Sequence, residues 1–347
     1  MTPIRSWPAL LALLLLPFST PAAADGPTLT VMSHDSFDIS RHLVEKFEST
    51  HRATVRFVKS GDAGTALVQA ILAKDKPLAD VFFGVDNTYL SRALKADIFL
   101  PYPSPLLTTF PTTLRLDPQN RLLPVSYGDV CLNIDRAWFR DKGIEPPADL
   151  ADIVKPAYRG LTVVENPATS SPGLAFLLAT IGRFGENGYL SFWKGLREND
   201  VKVANGWKDA YYGQFTAASK GDRPIVVSYA SSPAATVHYA KEALSEAPTA
   251  AVTGDRGSFR QIEFIGILKG TKQPELAKAF VDFMLDVPVQ EDIPLKMWVF
   301  PANPAASLPE VMRRHAVIPE RPAEVAPETI EKHRQQWLEA WTDAVLR

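Results

Sequence analysis

Three successive strand–turn–helix units near the start of the chain constrain its fold most strongly. In each unit, a short apolar strand leads into a polar or glycine-containing turn and then into an amphipathic helix. The strands are predicted at residues 29–33, 53–59 and 79–84. This repetition is typical of a parallel sheet with helical crossovers, in which ligands bind beyond the carboxyl ends of the strands. The turns at 34–37, 61–64 and 84–87 are therefore expected to border a site.

The rest of the chain predicts a second α/β unit. A long extended segment at 122–134, kinked near Gly128, leads into it, and an apolar strand at 260–268 returns from it. Helices are expected at 188–197, at 209–220 and, after the turn at 230–233, through Ala243. The fold class is therefore α/β, with two lobes, mixed and mostly parallel sheets and a cleft between the lobes. Lobe 1 is predicted to contain residues 25–125 and 260–347, and lobe 2 residues 126–259.

One motif occurs twice, each time after a predicted strand. Ser170-Ser171-Pro172 follows the strand at 161–164, and Ser231-Ser232-Pro233 follows the strand at 224–229. Ser171 is predicted to be a helix N-cap, with Pro172 at the first helical position. Free N–H groups at such a helix start can hold a phosphate, a carboxylate or a hydroxyl. Two ordinary capped helices are the alternative interpretation.

The N-terminal residues predict export. Arg5 gives a positive start, Leu10 to Phe18 form a short apolar run, and Pro21-Ala22-Ala23-Ala24 offers a small-residue cleavage site. The apolar run is too short to span a bilayer. We expect residues 1–24 to be a signal peptide cut after Ala24, and the product to be soluble and exported.

Composition and motifs limit the function classes. The formal net charge of −2 gives no indication of nucleic-acid binding. Serine-hydrolase, zinc-protease and P-loop motifs do not occur in the sequence. The six histidines are scattered without metal-ligand spacing. Cys131 is the only cysteine, and a lone cysteine in an apolar strand is usually an inert small hydrophobe.

Aromatic residues at the predicted element ends favour a particular ligand chemistry. Trp207 precedes a helix, Tyr229 ends a strand, and Trp298 lies in a turn of the returning lobe. Carboxylates are close to these aromatics in the predicted arrangement, at Asp62, Asp86 and Asp129. Together they suit a flat organic cation through stacking and cation–π attraction. The tryptophans of the last helix, Trp337 and Trp341, are instead predicted to be packing residues.

A series of short motifs runs in a fixed order through nearly the whole mature chain. The motifs are Thr30-Val31 with Asp35-Ser36-Phe37, Ala79-Asp80-Val81 with Gly84-Val85-Asp86-Asn87, Tyr127-Gly128, Pro167 to Leu174, Gly206 to Tyr211, Ser228 to Ala234, Gln273 to Ala277, and Arg334 to Trp337 with Trp341, Ala344-Val345 and Arg347. Each motif is weak singly, but their number and order are specific. In these motifs the chain resembles the periplasmic thiamine-binding proteins of bacterial ABC importers.

The resemblance implies a type II periplasmic-binding-protein fold that binds thiamine, thiamine monophosphate or thiamine pyrophosphate. Asp62, Ala63, Ser170 and Ser171 would meet the phosphate or hydroxyethyl end of the ligand. Trp207 would contact the rings together with Tyr229, Ala230, Ser231, Ser232 and Pro233, and Trp298 would stack from the other lobe. The chain departs from the family at His34, where the family has tyrosine, at Ala63, where it has glycine, and at Asp129, where it has an aromatic residue.

The resemblance also implies a monomeric transport protein that is not an enzyme. It would need no cofactor besides its ligand, and its partners would be the permease and ATPase of an ABC importer at the inner membrane. One alternative is a ferric-ion binder, although Tyr229-Ala230 lacks the second tyrosine that such proteins use. A second is a thiaminase I-like enzyme with Cys131 as nucleophile. A polyamine or aminophosphonate binder is a third.

Overall fold

The protein is described by a computed structural model that covers residues 26–347. The predicted signal peptide and its cleavage site after Ala24 lie outside the described residues. Within the described part of the chain, no helix combines the length and apolarity needed to cross a bilayer.

Eleven strands among residues 26–347 form one mixed sheet. The strands are β1 (Thr28–Ser33), β2 (Thr54–Lys59), β3 (Val81–Asp86), β4 (Phe99–Leu100), β5 (Leu123–Asp135), β6 (Thr162–Glu165), β7 (Lys202–Ala204), β8 (Ile225–Tyr229), β9 (Thr249–Val252), β10 (Phe259–Leu268) and β11 (Phe300–Pro301). Their order is β2-β1-β3-β10-β5-β8-β6-β7, with β4 paired to β10 and both β9 and β11 paired to β5.

Helices cover the sheet and carry most of the connections. They are α1 (Arg41–His51), α2 (Ala63–Leu72), α3 (Leu90–Lys95), α4 (Arg136–Lys142), α5 (Ser171–Glu198), α6 (Trp207–Asp209), α7 (Ser232–His238), α8 (Pro274–Leu285), α9 (Val287–Lys296), α10 (Glu310–His315) and α11 (Pro327–Val345). Short 3-10 turns occupy Pro105–Thr109, Thr112–Leu114, Leu150–Val154 and Pro156–Tyr158, and a π turn follows α6 at Ala210–Gln214.

The sheet contains two groups of parallel strands joined by two long antiparallel strands. β1 pairs in parallel with β2 and β3, as the three successive units predicted, and β6 pairs in parallel with β7 and β8. Every antiparallel ladder among the described strands includes β5 or β10. These two strands lie side by side in the middle of the order and connect the groups. The proposed lobe boundaries stay a prediction.

Burial explains why β3 reads as an apolar run rather than as an alternating pattern. Every residue of β3 is buried, including Asp86 at its end, because helices cover both faces of a parallel group. The predicted packing role of Trp337 and Trp341 is confirmed, since both are buried. Trp341 meets Trp193 of α5 edge-on, with 5.6 Å between ring centroids, and the Trp193 indole N–H donates to Thr180 Oγ1 over 3.0 Å.

Two helix predictions in the second half of the chain are wrong in extent. The helix expected at 209–220 is only α6 and the π turn, because Phe215 turns into an extended conformation, is buried and packs on Tyr211. The helix expected through Ala243 ends at His238. The segment after it leaves Leu244 39% exposed, so little apolar burial supports further turns there.

The helix expected at 188–197 is the second part of α5. Helical structure continues from Ser171 to Glu198, with non-helical dihedrals at Gly185. The φ of Gly185 is 72°, a left-handed value that glycine adopts at little steric cost. A kink at this residue therefore joins the two helices that the sequence suggested.

Candidate functional site

A cavity of about 280 Å³ lies where the carboxyl ends of the two parallel groups meet. Its walls come from the turns after β1 and β2, the start of α5, the segment leading into α6, and residues of β8 and β10. The lining residues are His34, Asp35, Ser36, Asp62, Ala63, Ser171, Pro172, Asn205, Gly206, Trp207, Lys208, Asp209, Tyr229 and Glu263. Two of the three turns expected to border a site therefore line this cavity.

The start of α5 is capped differently from the prediction. Ser170, not Ser171, is the N-cap: its Oγ accepts from the Gly173 N–H at 3.4 Å, and Ser171 is already the first helical residue. Two consecutive serines leave the cap position ambiguous in sequence by one residue. The shift moves the Ser171 side chain into the helix start, where it lines the cavity.

The Asp62 carboxylate accepts a hydrogen bond from a backbone N–H group at that helix start. The Ser171 N–H donates to Asp62 Oδ1 over 3.0 Å, so a carboxylate from the first parallel group already satisfies the positive end of α5. Burial raises the pKa of Asp62, while the Ser171 hydrogen bond and the charge of His34 oppose the rise. The predicted anion site of the Ser-Ser-Pro motif is therefore filled from within the protein.

Asp86 ties the third turn to the same helix start from beneath the cavity. Its Oδ2 accepts from the Ser171 hydroxyl and, over 3.1 Å, from Gln261 Nε2. Its Oδ1 accepts from the Thr88 N–H at 2.7 Å and from the Thr88 hydroxyl at 2.5 Å. Burial raises the pKa of Asp86 to about 6, although these hydrogen bonds act in the opposite direction. Asp86 thus connects three segments and does not itself line the cavity.

His34 and Glu263 form an ion pair in the cavity wall. The distance between His34 Nε2 and Glu263 Oε1 is 3.0 Å, and Ser126 Oγ donates to Glu263 Oε2 over 2.8 Å. Burial by itself lowers the pKa of His34, but the hydrogen bond and charge of Glu263 outweigh it and the pKa is raised. Burial likewise acts to raise the pKa of Glu263, but the bonds from His34 and Ser126 lower it. The pair therefore favours charged His34 and charged Glu263.

Trp207 supplies the aromatic wall. Its ring stacks on Tyr211, with centroids 5.1 Å apart and planes 22° apart, and its indole N–H donates to Ser228 Oγ at 2.9 Å. Since one face is against Tyr211 and the N–H is engaged, the orientation of the indole is fixed. The neighbouring Lys208 reaches across the cavity and donates to the Asp35 carbonyl over 3.2 Å.

Tyr229 closes the cavity from β8. Its hydroxyl donates to Gln261 Oε1 over 2.6 Å, which orients the ring. Burial raises the pKa of Tyr229 well above its ordinary value, and the nearby carboxylates add to the rise. The close approach of Gly128 allows this position, because a Cβ there would lie 2.8 Å from the Tyr229 ring. A neutral phenol held in this way is poorly prepared to bind a ferric ion.

The second Ser-Ser-Pro turn and Trp298 lie outside the cavity lining. The Ser231 hydroxyl donates to the Trp298 carbonyl, and Ser232 Oγ lies 2.8 Å from Ser228 Oγ, so both serines have structural partners. The Trp298 ring packs on His238 and Tyr239, with centroids 5.1 and 5.5 Å away. Of the eleven residues proposed as ligand contacts, the structure gathers Asp62, Ala63, Ser171, Trp207 and Tyr229 around the cavity. It does not bring Ser170, Ala230, Ser231, Ser232, Pro233 or Trp298 into that lining.

Asp129 is not available to a cationic ligand. Arg260 binds it with both Nε and Nη2, at 3.1 and 2.9 Å, and the Asp129 side chain is buried. The Arg260 guanidinium in turn lies 5.1 Å from the Tyr127 ring centroid. The departure from the family at this position therefore creates an internal ion pair.

The cavity has an excess of negative charge. Four carboxylates line it, from Asp35, Asp62, Asp209 and Glu263, against Lys208 and His34. Glu165 lies at the end of β6, fully buried and without a hydrogen-bond partner for either oxygen among residues 26–347. Burial raises its pKa well above the ordinary value, so it adds little charge. The net charge suits a cation better than an anion.

The thiol chemistry proposed as one alternative finds no reactive group at this cavity. Cys131 is fully buried in β5 and burial raises the pKa of its thiol, so no thiolate faces the cavity. Residues 26–347 contain no cluster of three or more histidine, cysteine, aspartate or glutamate residues placed to hold a metal ion.

Glu263 and Gln261 are the main site residues that the sequence did not single out. Both lie in an otherwise apolar strand, Phe259–Leu268, where Arg260 is the other polar side chain. A buried carboxylate in a central strand usually requires a partner. The position of Glu263 in this strand was therefore the sequence signal that could have identified it as a site residue. His34 was placed in a turn expected to border the site and noted as a departure from the family, but without a partner, and Lys208 was noted only as part of a motif.

Comparisons with known proteins agree with this geometry. Residues 76–318 match the family described as bacterial extracellular solute-binding protein. The thiamine-binding periplasmic protein of Salmonella typhimurium is 30% identical over 96% of this chain and 98% of its own length. The Brucella suis protein of the same name is also 30% identical, over 94% and 95% of the two chains. A solved periplasmic thiamin binding protein superposes with a TM-score of 0.81 at 27% identity, covering 93% of this chain and 97% of its own. These matches confirm the two-lobed type II fold class, and this chain belongs to the family of bacterial extracellular solute-binding proteins.

Proposed function

We propose that this protein binds thiamine in the cavity beside Trp207 and delivers it to an ABC importer. The observation that carries the proposal is the fixed Trp207 indole in a cavity lined by four carboxylates. Thiamine combines two flat rings with a permanent positive charge, and an aromatic face in a negatively charged pocket attracts such a ligand by stacking and cation–π interaction. The names of the relatives support the same ligand.

The cavity size is compatible with this ligand. Its volume of about 280 Å³ is just below the usual range for small-molecule pockets, roughly 300–1,000 Å³. A ligand of two small rings fits that space better than a long phosphorylated one. Ring contacts with Trp207 and Tyr229 and a charge contact with Asp62 or Glu263 are the interactions that we propose.

The same contacts favour thiamine over its phosphates. A phosphate at the start of α5 would have to displace Asp62 from the Ser171 N–H and would meet an excess of carboxylates. Among the described lining residues, Lys208 is the one lysine or arginine available to offset that cost. We therefore propose that the Ser171 N–H at the start of α5 positions Asp62 and that this helix start does not hold a phosphate.

The remaining parts of the proposal concern location and partners. We propose a periplasmic protein whose signal peptide is cleaved near Ala24, acting as a monomer without a cofactor. The permease and ATPase of an importer at the inner membrane would receive the ligand. The periplasmic relatives support this location.

Calorimetric titration of the mature protein with thiamine, its monophosphate and its pyrophosphate tests the proposal. We expect one site, with affinity falling as phosphates are added, and recovery of intact thiamine after incubation. Spermidine and ferric ion serve as controls for the alternative ligands and should produce neither heat of specific binding nor visible absorbance. Absence of binding by all three thiamine forms, or catalytic loss of thiamine, would contradict the proposal.

A further inference from the structure

A second cavity lies on the outer side of the first parallel group. Its volume is about 220 Å³, and it is formed where α11 packs against α3 and the turn that precedes it. Its polar lining consists of Asn87, Thr88 and Ser91 together with the charged side chains of Arg92, Lys95, Glu331 and Arg334. None of these residues lines the cavity beside Trp207.

The charges of this second cavity are not balanced. Lys95 and Glu331 form an ion pair with each other. The ion pairs among residues 26–347 include neither Arg92 nor Arg334. Two guanidinium groups therefore share a small space with no carboxylate partner within the described part of the chain.

Arg334 is held in place by packing on an aromatic ring, which leaves its N–H donors available to an anion. Its guanidinium lies over the ring of the buried Tyr89, 5.6 Å from the centroid. Burial lowers the pKa of Arg334, the phenol of Tyr89 opposes this, and the positive charge of Arg92 lowers it further. The two arginines thus repel each other, and an anion between them would relieve that repulsion.

We propose that the cavity between α3 and α11 binds a small doubly charged oxyanion of the phosphate or sulfate class. Guanidinium groups present planar sets of N–H donors that match tetrahedral oxyanions. The Ser91 hydroxyl lines the same cavity and offers a further donor. A volume of about 220 Å³ accommodates such an ion with some of its water. The inference is independent of the ligand proposed for the cavity beside Trp207.

Free phosphate and the phosphate end of a larger molecule share this chemistry, and we favour the free ion because the cavity is small. Calorimetric titration of the mature protein with inorganic phosphate, at constant ionic strength set by chloride, measures its binding directly. Titration with thiamine monophosphate forms the second arm. If the phosphate end of that molecule uses this cavity, Arg334→Gln weakens its binding while thiamine binding is unchanged.

Single and double substitutions assign the site. Arg92→Gln and Arg334→Gln should each weaken phosphate binding by roughly tenfold or more, since each removes a charged hydrogen-bond donor. Arg313→Gln is the matched control, because Arg313 is exposed on α10 and makes no ion pair within residues 26–347. It should leave phosphate binding unchanged. The exposed Arg92 can be replaced with little risk to folding, and the melting temperature of each variant monitors this.

Three results would overturn the inference. The first is no binding of phosphate or sulfate by the wild-type protein. The second is equal binding of phosphate by the wild-type protein and by the variant that carries both Arg92→Gln and Arg334→Gln. The third is loss of phosphate binding in Lys208→Gln with retention in Arg92→Gln, which would place the anion in the cavity beside Trp207 instead.

Discussion

Trp207 is the residue on which the proposed ring contact depends. Stacking on Tyr211 and the hydrogen bond to Ser228 fix its ring before a ligand arrives, so little side-chain entropy is lost on binding. By contrast, Trp298 is packed on His238 and Tyr239 outside the cavity lining.

Replacing Trp207 should therefore weaken thiamine binding more than replacing Trp298. We expect Trp207→Ala to cost about 1–2 kcal/mol of binding free energy through loss of the aromatic face. Trp298→Ala, the matched tryptophan control, should cost less. Calorimetry on both variants checks this order, and the reverse order would show that Trp298 moves into the ligand site on binding.

Asp62 is the residue that should set the preference among phosphorylated forms. Asp62→Asn retains an oxygen that can accept from the Ser171 N–H but removes a negative charge from the cavity. We expect the ratio of thiamine monophosphate affinity to thiamine affinity to rise by roughly tenfold, the effect of about 1.4 kcal/mol of charge repulsion. Asp209→Asn, another lining carboxylate, serves as the comparison. An unchanged affinity ratio in Asp62→Asn would show that Asp62 does not determine the preference between thiamine and its monophosphate.

At the scale of elements, patterns of apolar residues predicted the type and order of the strands and helices better than the residues at which they end. The three parallel strand units, the long strand β5 and the returning strand β10 were all anticipated, because their apolar runs are long and bounded by turns. The ends of α7 and of the π turn were not, since they depend on tertiary contacts such as the burial of Phe215. Adjacent serines hid the choice of Ser170 as cap, which only the hydrogen bond to Gly173 reveals.

The cap of α5 predicts a stability effect. Ser170→Ala should lower the free energy of unfolding by about 1 kcal/mol, because the Gly173 N–H loses its acceptor at the buried helix start. Ser170→Gly should cost only a few tenths of a kcal/mol, since glycine is tolerated at N-caps. Urea unfolding of both variants measures the difference. Equal and negligible effects would mean that the hydrogen bond contributes little.

At the scale of the whole molecule, Asp86 links stability to pH. Its pKa of about 6 in the folded protein exceeds the ordinary value of 3.8, so the folded state binds more protons than the unfolded state between these values. Its contribution to stability therefore falls as pH rises from about 4 to about 6, by roughly 1–3 kcal/mol.

Comparison with Asp86→Asn isolates this effect, because the variant cannot titrate at that position. The free energy of unfolding of wild type minus that of the variant should decrease across this pH interval and become constant above about pH 7. Urea unfolding of the wild-type protein and of the variant at several pH values measures both free energies. A difference that stays constant from about pH 4 to about pH 7 would show that Asp86 is charged throughout.

The sequence anticipated the position of the cavity but not its internal pairings. Strand–turn–helix order indicates which sheet edge carries the site, since that follows from topology. The pairs His34–Glu263, Asp62–Ser171 and Asp129–Arg260 join residues from distant parts of the chain. No local pattern encodes such pairings, and they decide which groups remain free for a ligand.

The crystal structure of the mature protein with thiamine tests the central claim most directly. We expect the ligand rings beside the Trp207 indole, in the cavity lined by Asp62, Tyr229 and Glu263, with the Asp62–Ser171 contact retained. Thiamine bound at another surface, or a Trp207 side chain that makes no contact with the bound ligand, would contradict the account.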